Sequence, residues 1–312
     1  MSIDFSSLSG KPRLLIESTL KPVQGTRFQP TGFPNLGHAA YETPDGAGQV
    51  VLVESAQSMA NRLEAVCWDD VADDWVPPLK GLPFIKVVRP DGMAVTNSVL
   101  EAHRINSEYI ARTNEFKDTV EKAIGFEKDR PFDFRRQLAP ALLRFDINSL
   151  IHGVFLEEIA GVIRLPRTLS AFVEADGVTI AASGGVKINR VEPTLKAGEG
   201  NVPYSRDEYA ARRIAAYFNL DLRQIRSFGL GEDVEKLLIS VALFKIQKFL
   251  TEGLRLRTAC DLDLIEHRVT RPAAFALPSL DVLCDELPQM IEAVAQQGRF
   301  HEPRVLTVTY QK

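Results

Sequence analysis

Five histidines, His38, His103, His152, His267 and His301, are the side chains best suited to proton transfer, and they are scattered along the chain. No two have the one-turn spacing of a helical zinc site. Three cysteines, Cys67, Cys260 and Cys284, lack paired spacing, which fits free thiols and gives neither a disulfide framework nor a zinc site. Asp69, Asp70, Asp73 and Asp74 could attract a hard cation but lack the pattern of a calcium loop, so a solvated acidic face is expected. Gly229-Leu230-Gly231 is not followed by the Lys-Ser/Thr of a phosphate loop, and no dinucleotide fingerprint is present. No metal and no cofactor are expected. His103 beside Arg104, or His152, could cleave RNA by acid–base chemistry, although a histidine without a visible partner is more often structural or a binding residue.

The binding chemistry is richer. Arg27, Arg62, Arg104, Arg164, Arg167, Lys187 and Arg190 adjoin loops, strand ends or an exposed helix face, where cations can contact phosphates. Taken singly, each arginine could equally form a surface ion pair. Gln, Asn and Ser can bond to phosphate or sugar, and Phe28, Phe33 and Tyr204 offer stacking faces for splayed bases.

These residues must be positioned by a few elements. Arg13–Leu20 is strand-like, and the Gly- and Pro-punctuated loop after it leaves the backbone accessible. Gln49–Glu54 reads as a second strand, and Ser55 is placed to cap a helix whose Met59, Leu63 and Val66 face the core. Pro77-Pro78 marks the edge of an insertion, Leu82–Val88 a strand, and Ala139–Phe155 a helix leading to a strand. Arg167–Ile180 alternates as a strand entering a hairpin, and Ser183–Arg206 is the least core-like stretch, a protruding hairpin or loop. Helices are expected at Asp207–Phe218, at Glu232–Gly253, and at Ser279–Gln297 with an interruption at Pro288. Leu254–Ile265 and Val305–Tyr310 read as strands. The interspersed pattern favours an α+β sheet with helices on one face.

A chain of 312 residues can bury a large core, and 45% hydrophobic with 25% charged residues is ordinary for a globular protein. The net charge of −4 argues against a bare nonspecific nucleic-acid binder but is compatible with a locally basic groove. Met1–Lys11 is polar and no run approaches membrane-spanning length, so a soluble, cytoplasmic protein is expected, with no membrane partner.

Six strings stand in an order that resembles a known family: LKPVQGTRFQPTGFPNLG, VESAQSMANRLEAVCWD, HRINSEYI, FDINSLIHGVFLE, RLPRTLSAFVEA and GLRLRTACDLDL. Between about Arg13 and Leu264 the chain is similar to the backbone subunit of type I-G (formerly I-U) CRISPR interference complexes, a RAMP-superfamily protein of the Cas-seven family. The resemblance implies a modified RRM/ferredoxin-like palm with large insertions, one of them a thumb hairpin. It implies a single elaborated domain over 1–312, with the palm at approximately 11–70, 139–182 and 207–270 and an insertion at 71–138. The candidate thumb is 183–206, and a C-terminal helix and strand occupy 279–310.

Functionally it implies a noncatalytic subunit whose copies assemble head to tail along CRISPR RNA (crRNA). Each thumb kinks the RNA at a neighbour, and the guide is presented to target DNA. Other Cascade subunits and a separate helicase–nuclease are the further partners. Carried over by position, Gln24, Thr26, Arg27 and Gln29 of the first loop and Ser58, Asn61 and Arg62 of the first helix would line the RNA groove. His103, Arg104, Arg164 and Arg167 would extend it, and Lys187 and Arg190 of the thumb would touch RNA or the adjacent subunit.

The competing expectation is a RAMP-type endoribonuclease that processes CRISPR precursor RNA through His103 or His152. RNA-cutting relatives of type III use an Asp in the first loop, and Lys21–Gly37 contains neither Asp nor Glu.

Overall fold

A computed structural model describes residues 3–33, 37–46, 48–127, 130–157, 163–188 and 201–311. Its centre is a seven-stranded sheet in which every neighbouring pair is antiparallel. The first strand, β1 (Leu14–Pro22), alternates between buried Leu14, Ile16, Ser18 and Leu20 and partly exposed Leu15, Glu17 and Thr19, so one sheet face lies on the core. After the first loop come β2 (Ala40–Glu42) and β3 (Gln49–Glu54), then α1 (Ala56–Ala65). A long excursion returns to β4 (Leu169–Asp176), which leads into the hairpin of β5 (Thr179–Ile188) and β6 (Asn201–Ala210). The chain re-enters the sheet as β7 (Arg213–Leu220), crosses the core as α2 (Glu232–Glu252), and finishes the sheet with β8 (Arg255–Arg257) and β9 (Cys260–Arg271). The spatial order is β8-β9-β1-β7-β4-β3-β2. The adjacent strands β9-β1-β7-β4, ranked by chain order, are therefore fourth, first, third, second, with α1 between the first and the second and α2 after the third.

Both helices pack on the buried face. Ser55 caps α1 by accepting from the Ser58 amide, and Met59, Ala60 and Leu63 are buried, with Val66 only partly so. Helix α2 is buried along most of its length, Lys245, Ser240 and Gln247 included. Glu232, Asp233 and Glu235 in its first turn complement the helix dipole.

Two local expectations are corrected. Asp207–Phe218 is not a helix; it closes β6 and forms most of β7. Alanines give this stretch helix propensity, but Ile214, Ala216 and Phe218 point inward at period two, and pairing with β1 and β4 on either side decides. Helix α3 (Leu280–Gln296) runs through Pro288 without interruption. Pro288 sits on the exposed face, where the missing amide bond is least costly, while Leu283, Leu287, Ile291 and Val294 anchor the buried face.

The excursion between α1 and β4 contributes its own small sheet, in which Phe84–Val88 pairs antiparallel with Ala94–Asn97 and parallel with the C-terminal strand Val305–Thr309. Farther on, the helix Ile147–His152 is followed by Gly153 and by the hairpin of Val154–Leu156 with Ile163–Leu165. No helix of the described residues is long and apolar enough to cross a membrane.

Candidate nucleic-acid interface

The first loop lies against the hairpin. Arg27 and Phe28 pair with Ala210 and Tyr209 of β6, burying Phe28, while Gln24, Thr26 and Arg27 stay exposed. Arg27 reaches Glu208 at 3.4 Å. Gln29 is half-buried and lines a shallow depression of about 370 Å³ with His38 and Arg257.

Arg62 was expected to face RNA, and the structure corrects this. Its guanidinium turns inward, donating to Glu54 Oε1 at 2.9 Å and to the Leu256 carbonyl at 2.6 Å. Arg257 grips the same Glu54 oxygen and also donates to the carbonyls of Gln29 and Val53. Glu54 is fully buried between them. Arg62 is thus a strut that ties α1 to β3, to β8 and, through Arg257, to the first loop. On the same helix Ser58 and Asn61 are partly exposed, with Asn61 accepting from Gln57 at 3.4 Å.

A broad concavity opens at the N-terminal half of α1. This cleft, about 890 Å³, lies between Glu101–Tyr109 on one side and His152–Phe155 with Arg164–Arg167 on the other, with Gln57 at its edge. It brings together His103, Arg104, Arg164 and Arg167 but contains none of the first-loop residues. Arg164 is exposed, with its guanidinium carbon 4.7 Å from the centre of the Phe155 ring, a cation–π stack. Arg167 is half-buried and donates to Gln57 Oε1, bridging the cleft to α1. Burial, then the nearby Arg104 charge, lower the Arg167 pKa. His103 is exposed.

Arg104 is the second correction. It is almost wholly buried, and its Nε and Nη2 each donate to Glu64 at 2.6 Å. A third bond, from Nη1 to the Gly153 carbonyl, spans 3.3 Å. The ion pair also holds Arg104 at φ 55°, a left-handed conformation that a side chain adopts at a cost. With three of its five N–H donors engaged inside, Arg104 positions the cleft floor. Gly153 is needed for close approach: at φ +76°, a Cβ there would stand 2.5 Å from the Leu165 carbonyl.

Beneath the floor lies a buried polar cluster. Lys245 Nζ donates to Asn148 Oδ1 at 2.7 Å and sits 3.1 Å from His152 Nε2. Asp146 caps the helix Ile147–His152 and accepts from Ser149 at 2.6 Å. Burial raises Glu64 to about 7 against the opposing pull of Arg104. Burial, then the Lys245 charge, drive His152 well below the usual 6.5, so this histidine is neutral. Burial likewise lowers Lys245.

Gln57, Tyr109 and Phe155 are cleft residues that the sequence reading passed over. Gln57 lies one position before Ser58 on the face already singled out, so its signal was present; Phe155 could be recognised only once the hairpin set it under Arg164. The side chain of Lys187 and all of Arg190 lie outside the described residues. No group of three or more His, Cys, Asp or Glu side chains among the described residues could hold a metal.

A family model described as CRISPR-associated protein GSU0053 matches residues 14–180, more than half of the chain. The chain belongs to that family. No curated protein matches it. Among solved structures, a chain of a "CRISPR RNA-guided surveillance complex, pre-nicking" is 13% identical at a TM-score of 0.45, with 92% of this chain and 89% of that one covered. A chain of a "CRISPR RNA-guided surveillance complex" is 11% identical at a TM-score of 0.38, with coverages of 92% and 84%. Csc2 of Thermofilum pendens is 12% identical at a TM-score of 0.34, with coverages of 96% and 81%. The stretch that matches the GSU0053 family includes α1, β4 and every lining residue of the cleft.

Proposed function

We propose that this member of the GSU0053 family is a noncatalytic crRNA-binding backbone subunit of a type I CRISPR interference complex. It polymerises along the guide with further copies of itself and presents it for pairing with target DNA. Other Cascade subunits and a helicase–nuclease complete the machinery. The reading is carried by one observation: Gln57, His103 and the neighbouring pair Arg164 and Arg167, three places well separated in sequence, converge on a single open cleft. Guanidiniums and a stacked ring there suit a sugar-phosphate chain with splayed bases. The order fourth, first, third, second in the central sheet, with its two following helices, supports a modified RRM/ferredoxin-like palm. The hairpin of β5 and β6 is the thumb candidate, with its tip at 189–200 outside the described residues. Exposed Gln24, Thr26 and Arg27, with Gln29, Ser58 and Asn61, form a second, outer line of contacts.

RNA is held by charge and shape, and base pairing reads the sequence. The protein co-expressed with a CRISPR array and its operon partners retains crRNA through purification, whereas the Arg164→Glu/Arg167→Glu variant emerges depleted of RNA. Equal RNA content in both preparations contradicts the reading.

A further inference from the structure

Hydrogen-bond bookkeeping on the cleft floor leaves two donors without acceptors. His152 lines the cleft yet is almost wholly buried, and its Nδ1 has no partner among the described residues. The Nε of Arg167, also buried, has none either. Their chemistry is set from beneath. Lys245 Nζ donates to Asn148 Oδ1 and stands 3.1 Å from His152 Nε2. With Nζ donating there as well, Nε2 is the acceptor, and the single ring proton of the neutral imidazole resides on Nδ1. An unmatched N–H at such depth is costly, and the cost is relieved when an acceptor arrives.

We propose that the cleft floor is an oxyanion site that takes a phosphate group, bound by the Nδ1–H of His152 and the Nε–H of Arg167, with Arg164 and His103 at its rim. Of the nearby acids, Glu64 is consumed by Arg104 and Glu108 pairs with Arg112, while Glu101, which accepts from Thr96 and Ser107, and exposed Glu157 keep their charge at the cleft wall. A cleft of about 890 Å³ is large enough for a nucleotide, and the Phe155 ring and Tyr109 give it apolar walls. The phosphate can be a diester of bound RNA, in which case the site deepens the crRNA reading, or a free phosphate. The donor pair is the same for both.

The test is long-range proton–nitrogen NMR on the full chain with labelled histidine, titrated with inorganic phosphate and, separately, with a short RNA. The expected spectrum shows His152 as the Nδ1–H tautomer, with a saturable shift on adding phosphate or RNA. His152→Asn, which keeps an N–H near the Nδ1 position, retains binding within about threefold, while His152→Phe and Arg167→Gln lose about tenfold or more. Arg167→Gln, on a half-buried side chain, gives the answer even if His152→Phe does not fold. Phosphate that moves the His152 signal while RNA neither binds nor competes upholds the oxyanion site and sinks the crRNA reading. Wild-type RNA affinity in Arg167→Gln together with an unmoved His152 signal overturns the oxyanion site and leaves the crRNA reading standing.

Discussion

Arg104 and Glu64 face each other through two hydrogen bonds of 2.6 Å, with both side chains almost wholly withdrawn from solvent. The pair joins α1 to the cleft wall, because Arg104 also reaches the Gly153 carbonyl. A buried pair of this kind is costly to break from one side, since the remaining charge is left alone in a low-dielectric interior. Arg104→Met is therefore expected to lower unfolding free energy by about 3–5 kcal/mol, and Arg104→Met with Glu64→Gln to recover a large part of that. Urea denaturation of both variants checks it.

Arg62 shares its acceptor with Arg257, so its loss is milder. Arg62→Ala leaves Glu54 paired, and a destabilisation of about 1–2 kcal/mol is expected. Its RNA affinity stays within about twofold of wild type when measured under folded conditions, because the guanidinium faces inward. Denaturation and RNA titration on the same variant separate these two effects.

Arg164 and Arg167 are predicted to behave in the opposite way. Arg164→Glu/Arg167→Glu retains its fold while losing RNA affinity by about tenfold or more at moderate salt. Two phosphate contacts fewer reduce the slope of log affinity against log salt by about 1.4, using the single-strand coefficient. Titrations at several salt concentrations measure both quantities.

The pH dependence follows from His152. Its folded pKa lies well below 6.5, so below pH 6.5 the unfolded chain binds a proton that the folded one refuses. The stability it contributes is present above pH 6.5 and is lost as pH falls toward the folded value. Glu64 acts in the opposite sense: raised to about 7, it favours the folded state below its ordinary 4.5 and loses that contribution as pH rises through about 7. Burial raises Asp146 in the same sense as Glu64, so wild-type stability sets the histidine slope against the carboxylate slopes. In His152→Asn the histidine slope is removed, and stability relative to wild type rises on acidification from pH 7 to 5 by up to about 1.4 kcal/mol per unit. Thermal melts of the two proteins across that range test it.

His103 decides between holding and cutting. It is exposed in the cleft, whereas His152 is neutral and buried. Repeat RNA incubated with the protein, with and without EDTA, should remain intact; cleavage abolished by His103→Ala would move the account to the endoribonuclease reading.

How far the sequence spoke depends on the kind of signal. Local rules carried β1, the Ser55 cap and α2, because alternation, a capping serine and a continuous apolar face are near-neighbour properties. They failed at β7, where two flanking strands overrode alanine propensity. At the site, arginine type and loop position singled out Arg27, Arg62, Arg104, Arg164 and Arg167 equally. Only tertiary pairing separates Arg62 and Arg104, which are spent on Glu54 and Glu64, from Arg164 and Arg167, which open on the cleft. The acceptors lie eight residues before Arg62 and forty before Arg104, and nothing in the sequence couples them. Phe155 entered the site only through the fold, whereas Gln57 stood on a helix face the sequence had already singled out.

The central claim is that guide RNA lies in the cleft at the N-terminal half of α1. Ultraviolet crosslinking of the protein to bound crRNA, followed by mass spectrometry of the adducts, places the RNA directly. Adducts on Tyr109, Phe155 or the peptides spanning 101–109 and 152–157 are predicted; adducts confined to the sheet face where Phe172 of β4 stacks on Tyr217 of β7, with none in those peptides, would contradict it.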